Sequence, residues 1–89
     1  MKEIRVKEYR KRKHRKRWIT EEIKESEGVG YIYEISFDYV MNKWYLEEFK
    51  IQHHKDKPDD YWAGPIVYSD SRDDLIKQIE EVRGVKIII

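Results

Sequence analysis

The chain has 89 residues, of which 42% are Asp, Glu, Lys or Arg, and its formal net charge is +1. A chain of this length is expected to form one domain, residues 1–89, because it cannot bury two separate hydrophobic cores. It has no cysteine, which excludes disulfides and cysteine-based zinc sites. No apolar run approaches the roughly 20 residues that span a bilayer, and charged residues follow Met1 directly. We therefore expect a cytoplasmic protein with no membrane partner.

Positive and negative charges are divided unevenly along the chain. Residues 1–20 contain ten Lys/Arg and two Asp/Glu, a formal charge of +8, whereas the other 69 residues carry −7. Seven of the eight residues from Arg10 to Arg17 are Lys or Arg, and the eighth is His14. A basic run of this density predicts contact with a polyanion, above all with nucleic acid.

The uncharged part of the composition indicates a hot environment. The chain holds one Asn, two Gln and two Met beside 12 Ile. Few thermolabile residues together with many charged ones are typical of proteins from thermophiles. This pattern carries no information about function.

Residues 1–20 are predicted to form a basic N-terminal strand or arm. Ile4 and Val6 alternate with charged neighbours, which favours a short strand near a sheet edge. Because its like charges repel one another, the run Arg10–Arg17 would be extended on its own. When folded it could be a strand end, a loop or an arm that orders on a partner. Trp18–Ser26 is predicted as a further strand, with a helix as the alternative interpretation.

Residues 31–52 give the clearest pattern, a central hairpin. Alternation along Tyr31–Val40 predicts a half-buried strand. Its apolar face would hold Tyr31, Tyr33, Ile35, Phe37 and Tyr39. Trp44–Gln52 is then the partner strand, in which the apolar positions change parity at Glu47-Glu48. A bulge at that point would return them to one face.

The last third of the chain predicts a loop, an edge strand, a helix and a closing strand. His53–Asp60 is a polar loop, and Pro65–Tyr68 is expected at a sheet edge because proline donates no hydrogen bond. Helical signals follow over residues 71–83: Ser71 as the cap and Gly84 as the stop. The apolar stripe of this helix would be Leu75, Ile76, Ile79 and Val82. Val85–Ile89 then forms the closing strand.

Together these elements predict an α+β domain. Its antiparallel sheet would have about four to six strands, with one helix from the C-terminal half packed on one face. One helix covers only one face of a sheet. Aromatic side chains on the other face would therefore be exposed or buried against a second copy, and we expect a homodimer.

The sequence offers no catalytic constellation. His53-His54-Lys55-Asp56 contains metal-ligand types, but adjacent strand histidines point to opposite faces and Lys55 would repel a cation. Gly28-Val29-Gly30 lacks the further glycine of a phosphate-binding loop. We therefore predict a protein that is not an enzyme, with no metal site, no cofactor and no small-molecule substrate.

The basic run leads to the functional prediction, a small nucleic-acid-binding protein acting on DNA or RNA. Its cations would contact phosphates, and Tyr9 and Trp18 at the borders of the run would stack on bases. The predicted phosphate-contacting residues are Arg10, Lys11, Arg12, Lys13, Arg15, Lys16 and Arg17. The alternative is a protein–protein interaction module of a virus or mobile element, in the host cytoplasm. Its acidic body and basic end would then bind other proteins without affinity for nucleic acid.

Overall fold

The structure is a computed structural model that describes residues 1–11 and 15–89, and these residues form seven strands and one helix. The elements are β1 (Lys2–Lys11), β2 (Arg15–Thr20), β3 (Ile23–Ser26), β4 (Val29–Asp38), β5 (Lys43–Gln52), β6 (Asp60–Ser69), α1 (Arg72–Arg83) and β7 (Val85–Ile88). The strands form one sheet in the order β6-β5-β4-β2-β1-β7, and β3 also pairs with β4. The prediction of an α+β domain with one late helix is confirmed at the level of fold class, and the domain consists mostly of sheet.

The predicted strand number and the wholly antiparallel arrangement are wrong. The predicted strand Trp18–Ser26 is divided at Glu21-Glu22, so that β2 and β3 lie one after the other along β4. Glu21 turns towards β1 instead, where its backbone N–H donates to the Arg5 carbonyl at 3.0 Å. β7 pairs with β1 in parallel, from Lys2 opposite Val85 to Arg5 opposite Ile88.

Helix α1 has the predicted caps. The Ser71 hydroxyl accepts a hydrogen bond from the Asp74 N–H at 3.3 Å, and Gly84 ends the helix in the left-handed conformation, with φ 63°. Leu75, Ile76 and Ile79 are buried against the sheet as predicted. Val82, the fourth residue of the predicted stripe, is 68% exposed. In the last helical turn the side chain of Arg83 packs on the sheet instead.

Strand β4 lies at the centre of the core. Its predicted alternation is confirmed for Tyr31, Tyr33 and Ile35, which are buried on the face that α1 covers. The strand ends at Asp38, however, and Tyr39, which was predicted on the same face, is 66% exposed. The neighbouring strands add Ile4, Trp18, Ile23, Leu46, Val85 and Ile87 to the same core cluster. The core of the domain is therefore the layer between α1 and one face of the sheet.

The predicted bulge in β5 is wrong, and the irregularity lies in β6. β4 and β5 pair without interruption from Val29 opposite Gln52 to Asp38 opposite Lys43. In β6, by contrast, two residues, Gly64 and Pro65, stand between the partners of Glu47 and Phe49. Proline has no N–H for the ladder, which explains why β6 carries the bulge. Trp44 and Leu46 consequently lie on the helix side of the sheet, and Phe49 and Ile51 lie on the opposite side.

Strand β6 is an edge strand as predicted, although it spans Asp60–Ser69 rather than only Pro65–Tyr68. The only helix in the described part of the chain has 12 residues and is too short to cross a membrane.

Candidate nucleic-acid interface

The predicted phosphate-contacting residues belong to the hairpin of β1 and β2. These strands are antiparallel, with Arg10 opposite Lys16 and Lys11 opposite Arg15. Like charges directly opposite one another destabilise a pair of strands. The register of this hairpin therefore concentrates positive charge instead of alternating it with negative charge.

The basic end of the hairpin pairs with no further strand in the described chain. Pairing of β1 with β7 stops at Arg5, and pairing of β2 with β4 covers only Arg17 to Ile19. Beyond these positions β1 and β2 pair only with each other, as a two-stranded ribbon. A two-stranded β-ribbon is one of the elements that fit into the major groove of B-DNA.

The structure describes the predicted site residues to different extents. Arg12 and Lys13 lie outside the described residues. Tyr9, Arg10, Lys11 and Arg15 are described by their backbone positions in β1 and β2. Lys16, Arg17 and Trp18 are described with their side chains, and the three differ in their surroundings.

Lys16 is open to solvent, whereas Arg17 is engaged by the chain itself. The Lys16 ammonium lies 3.7 Å from Glu8 Oε1, and both side chains are about half exposed. An ion pair this exposed contributes little to the stability of the fold. Arg17 Nε lies 2.7 Å from Glu34 Oε1, and its side chain is only 21% exposed. This contact is an ion pair without hydrogen-bond alignment, because the buried Nε has no hydrogen-bond partner among the described residues. Arg17 is thus less available to an external anion than Lys16.

Trp18 is a core residue. It is 9% exposed, and its ring centroid lies 5.5 Å from that of Trp44. The Arg72 guanidinium carbon lies 5.2 Å from the centroid of the Trp18 ring. A ring packed in this way has no free face for a base, so the stacking role predicted for Trp18 is not part of the proposed function.

The sheet face opposite α1 carries apolar side chains that the sequence analysis did not group together. We call it the uncovered face; its large apolar residues on β4, β5 and β6 are Ile32, Tyr45, Phe49, Ile51, Tyr61, Ile66 and Tyr68, of which Ile51 is buried. Tyr45 and Tyr68 are cross-strand partners whose ring centroids lie 6.4 Å apart. The parity change of the apolar positions at Glu47-Glu48 is the sequence signal for this face, because β5 pairs with β4 without a bulge and so has apolar residues on both sides.

At the other end of the sheet, His53 joins three segments of the chain. Its Nε2 lies 2.8 Å from Glu22 Oε1, and its Nδ1 lies 2.9 Å from Asp59 Oδ2. The hydrogen bond to Glu22 raises the pKa of His53 above its usual value, against the opposing effect of desolvation, and the bond to Asp59 raises it further.

The two adjacent histidines contact different carboxylates. His54 Nε2 lies 2.9 Å from Asp60 Oδ2, so the two neighbouring histidines use different carboxylates. Within residues 1–11 and 15–89, no three His, Cys, Asp or Glu side chains come together in a way that could hold a metal ion. The arrangement is one of ion pairs between a strand end and the loop that follows it.

Comparison with protein-family models, with curated proteins and with solved structures finds no match for this chain. The class of this protein is therefore described from its fold and its candidate site alone. It is a small, sheet-rich α+β domain with a basic β-hairpin at one side and a sheet face that its helix leaves open.

Proposed function

We propose that this protein is a small, non-enzymatic nucleic-acid-binding protein whose β1–β2 hairpin contacts the phosphate backbone. The observation that carries the proposal is the register of the hairpin, in which Arg10 is opposite Lys16 and Lys11 is opposite Arg15. Cross-strand pairs of like charge cost stability in the free protein. A polyanion bound along the hairpin removes that cost, and its own condensed counterions are released into solution.

Two carboxylates contact the hairpin cations whose side chains the structure describes. Among the described side chains, Glu8 lies near Lys16 and Glu34 pairs with Arg17. Residues 1–20 as a whole keep a formal charge of +8. This excess of positive charge favours a partner with a high density of negative charge. Duplex nucleic acid carries one phosphate for about every 1.7 Å of its length.

The test is a charge-removal variant of the hairpin with a control of equal charge. The variant replaces Lys11, Arg12, Lys13, Arg15 and Lys16 by Ala. The control replaces five exposed lysines elsewhere, Lys24, Lys55, Lys57, Lys77 and Lys86, by Ala. Binding to labelled DNA and RNA is measured by fluorescence anisotropy over a series of salt concentrations.

We expect the hairpin variant to bind every sequence more weakly. On duplex DNA its log–log salt slope should be shallower by about 0.9 for each phosphate that the variant no longer neutralises, and the control should stay close to the parent. If the hairpin variant binds both DNA and RNA as tightly as the parent, the proposal is wrong. The protein–protein alternative gains support if the parent binds neither polymer but self-associates in a manner that salt reverses.

A further inference from the structure

The uncovered face carries more exposed apolar side chains than an ordinary solvated sheet face. A sheet with one face in water usually carries polar side chains there. Here Tyr68 is 42% exposed, Ile66 48% and Tyr61 63%. All three residues lie on β6, and Tyr68 is next to the half-buried Tyr45 of β5. A cluster of exposed apolar side chains often marks a binding site.

The aromatic pair on this face lies in one row with the base of the hairpin. Arg17 is opposite Ser36, Ser36 is opposite Tyr45, and Tyr45 is opposite Tyr68. Neighbouring strands lie about 4.8 Å apart, so the distance across this row from β2 to β6 is about 14 Å. A polymer that follows the hairpin with its phosphates can therefore reach both rings with its bases.

The charges on the face argue against a second copy of the chain as its occupant. Glu34 and Glu47 are directly opposite each other in the next row. Glu34 is paired with Arg17, and Glu47 has no partner among the described side chains. Two such faces packed together would bury the unpaired Glu47 carboxylate of each copy, whereas the centre of a protein interface is depleted of charge because unpaired buried charges are costly.

The carboxylates of Glu34 and Glu47 are hydrogen-bond acceptors for nucleobases. Exocyclic amino and ring imino groups are N–H donors, and an ionised carboxylate only accepts hydrogen bonds. The faces of bases stack on aromatic side chains with little dependence on sequence. In a duplex these base faces are already stacked on one another, so only unpaired bases can occupy the uncovered face.

We infer that the uncovered face stacks the bases of a single strand through Tyr45 and Tyr68, and that the ligand of this protein is single-stranded nucleic acid. This inference rests on the proposed function, since the hairpin holds the phosphates of the same strand. It adds a selectivity for unpaired bases that phosphate contacts alone do not give.

The deciding probe is an abasic strand. Fluorescence anisotropy compares an oligonucleotide of about 12 thymidines with an abasic strand of the same length and phosphate charge. We expect the parent to bind the thymidine strand at least about tenfold more tightly. In the double variant Tyr45→Ser/Tyr68→Ser this preference should shrink to about threefold or less, with affinity for the abasic strand unchanged. Trp62→Ser is the control, because Trp62 is exposed on β6 but lies opposite Lys50, on the other side of the sheet.

A measurement on the parent protein guards against a variant that does not fold. A strand carrying 5-bromouracil is cross-linked by ultraviolet light, and the modified residues are located by mass spectrometry. Cross-links at Tyr45 or Tyr68 support the inference, and cross-links confined to other residues contradict it.

The failures of the two proposals are distinguishable. If the parent binds the abasic strand as tightly as the thymidine strand, the inference about the uncovered face is wrong while the hairpin proposal stands. If removal of the hairpin charges leaves binding unchanged, the proposed function itself fails. Sedimentation showing a dimer that the tyrosine variant turns into a monomer, with an unaltered preference for bases, would assign the face to a second copy instead.

Discussion

The guanidinium carbon of Arg83 lies 3.5 Å from the centroid of the Tyr31 ring. Nε of the same side chain donates a hydrogen bond to the Tyr33 hydroxyl at 2.7 Å, and Nη2 donates to Glu48 Oε1 at 3.2 Å. Arg83 belongs to the last turn of α1, and both tyrosines belong to β4. One side chain therefore fixes the end of the helix to the central strand, by stacking, hydrogen bonding and charge together.

Replacing Arg83 by Lys should lower the free energy of unfolding by about 1–2 kcal/mol. Lysine keeps the positive charge but has no planar group to stack on Tyr31, and it cannot reach Tyr33 and Glu48 with two fixed donors. Urea unfolding followed by circular dichroism gives the value. Arg5→Lys, at an exposed position of β1, is the control and should change little. Equal stability of the parent and Arg83→Lys would show that stacking and hydrogen bonding add nothing to the charge.

The stability of the domain should fall as the pH rises through the raised pKa of His53. The pKa of His53 is higher in the folded state than its ordinary value of about 6.5, because of its bonds to Glu22 and Asp59. The protonated ring therefore stabilises the fold fully below that ordinary value, and this contribution is lost as the pH passes the folded pKa. In His53→Gln this pH-dependent part should be missing. Urea unfolding between about pH 5.5 and about pH 9 compares the two proteins, and parallel curves over that range would contradict the prediction.

Gly30→Ala should weaken the Glu22–His53 contact although neither Glu22 nor His53 is replaced. A Cβ atom at Gly30 would collide with the Glu22 carboxylate group, which is the flexible end of its side chain and has to move away. We expect the pKa of His53 to be lower in this variant than in the parent, because the hydrogen bond that raises it most is broken. Titration of the His53 ring by NMR measures the change. Glu27→Ala, which removes an exposed acid from the adjacent turn, should shift the pKa less than Gly30→Ala does.

Ser71→Ala should destabilise the domain by about 1 kcal/mol, the usual cost of losing a helix N-cap. The Ser71 hydroxyl accepts from the Asp74 N–H, and alanine leaves that donor without an intrahelical partner. Urea or thermal unfolding measures the difference. Ser26→Ala, at the exposed end of β3, provides the control for the loss of a hydroxyl group. A Ser71→Ala variant as stable as the control would mean that water satisfies the Asp74 N–H equally well.

The parts of the fold that the sequence predicted are those that depend on neighbours along the chain. Alternation from Tyr31 to Phe37 and the helix between Ser71 and Gly84 are local patterns, and the structure has both. The parallel pairing of β1 with β7 joins residues more than 80 positions apart, and no local pattern records it. The parity change at Glu47-Glu48 had two explanations, a bulge or a strand with apolar residues on both faces. Only the continuous register with β4 decides between them.

The candidate site was predictable in composition but not in geometry. The density of charge from Arg10 to Arg17 is visible in the sequence, whereas the pairing of cations across two strands depends on where the hairpin turns. Trp18 was expected to stack on bases because it borders the basic run. Its burial depends on Trp44 and Arg72, which are distant in sequence. Tyr45 and Tyr68 are also distant in sequence, and the register of β5 with β6 places them side by side.

The parallel pairing of β1 with β7 also affects how the protein is made. During translation β1 is synthesised before the other strands of this sheet and β7 after them, so the Lys2–Arg5 edge of β1 lacks this partner until Val85–Ile88 has been synthesised. Ile4, which is fully buried in the finished fold, lacks part of its cover until then. Because contacts of such long sequence separation form late and slowly, the sheet is complete only after β7 has been synthesised. Until β7 has been synthesised, the basic run Arg10–Arg17 belongs to a domain whose sheet is incomplete.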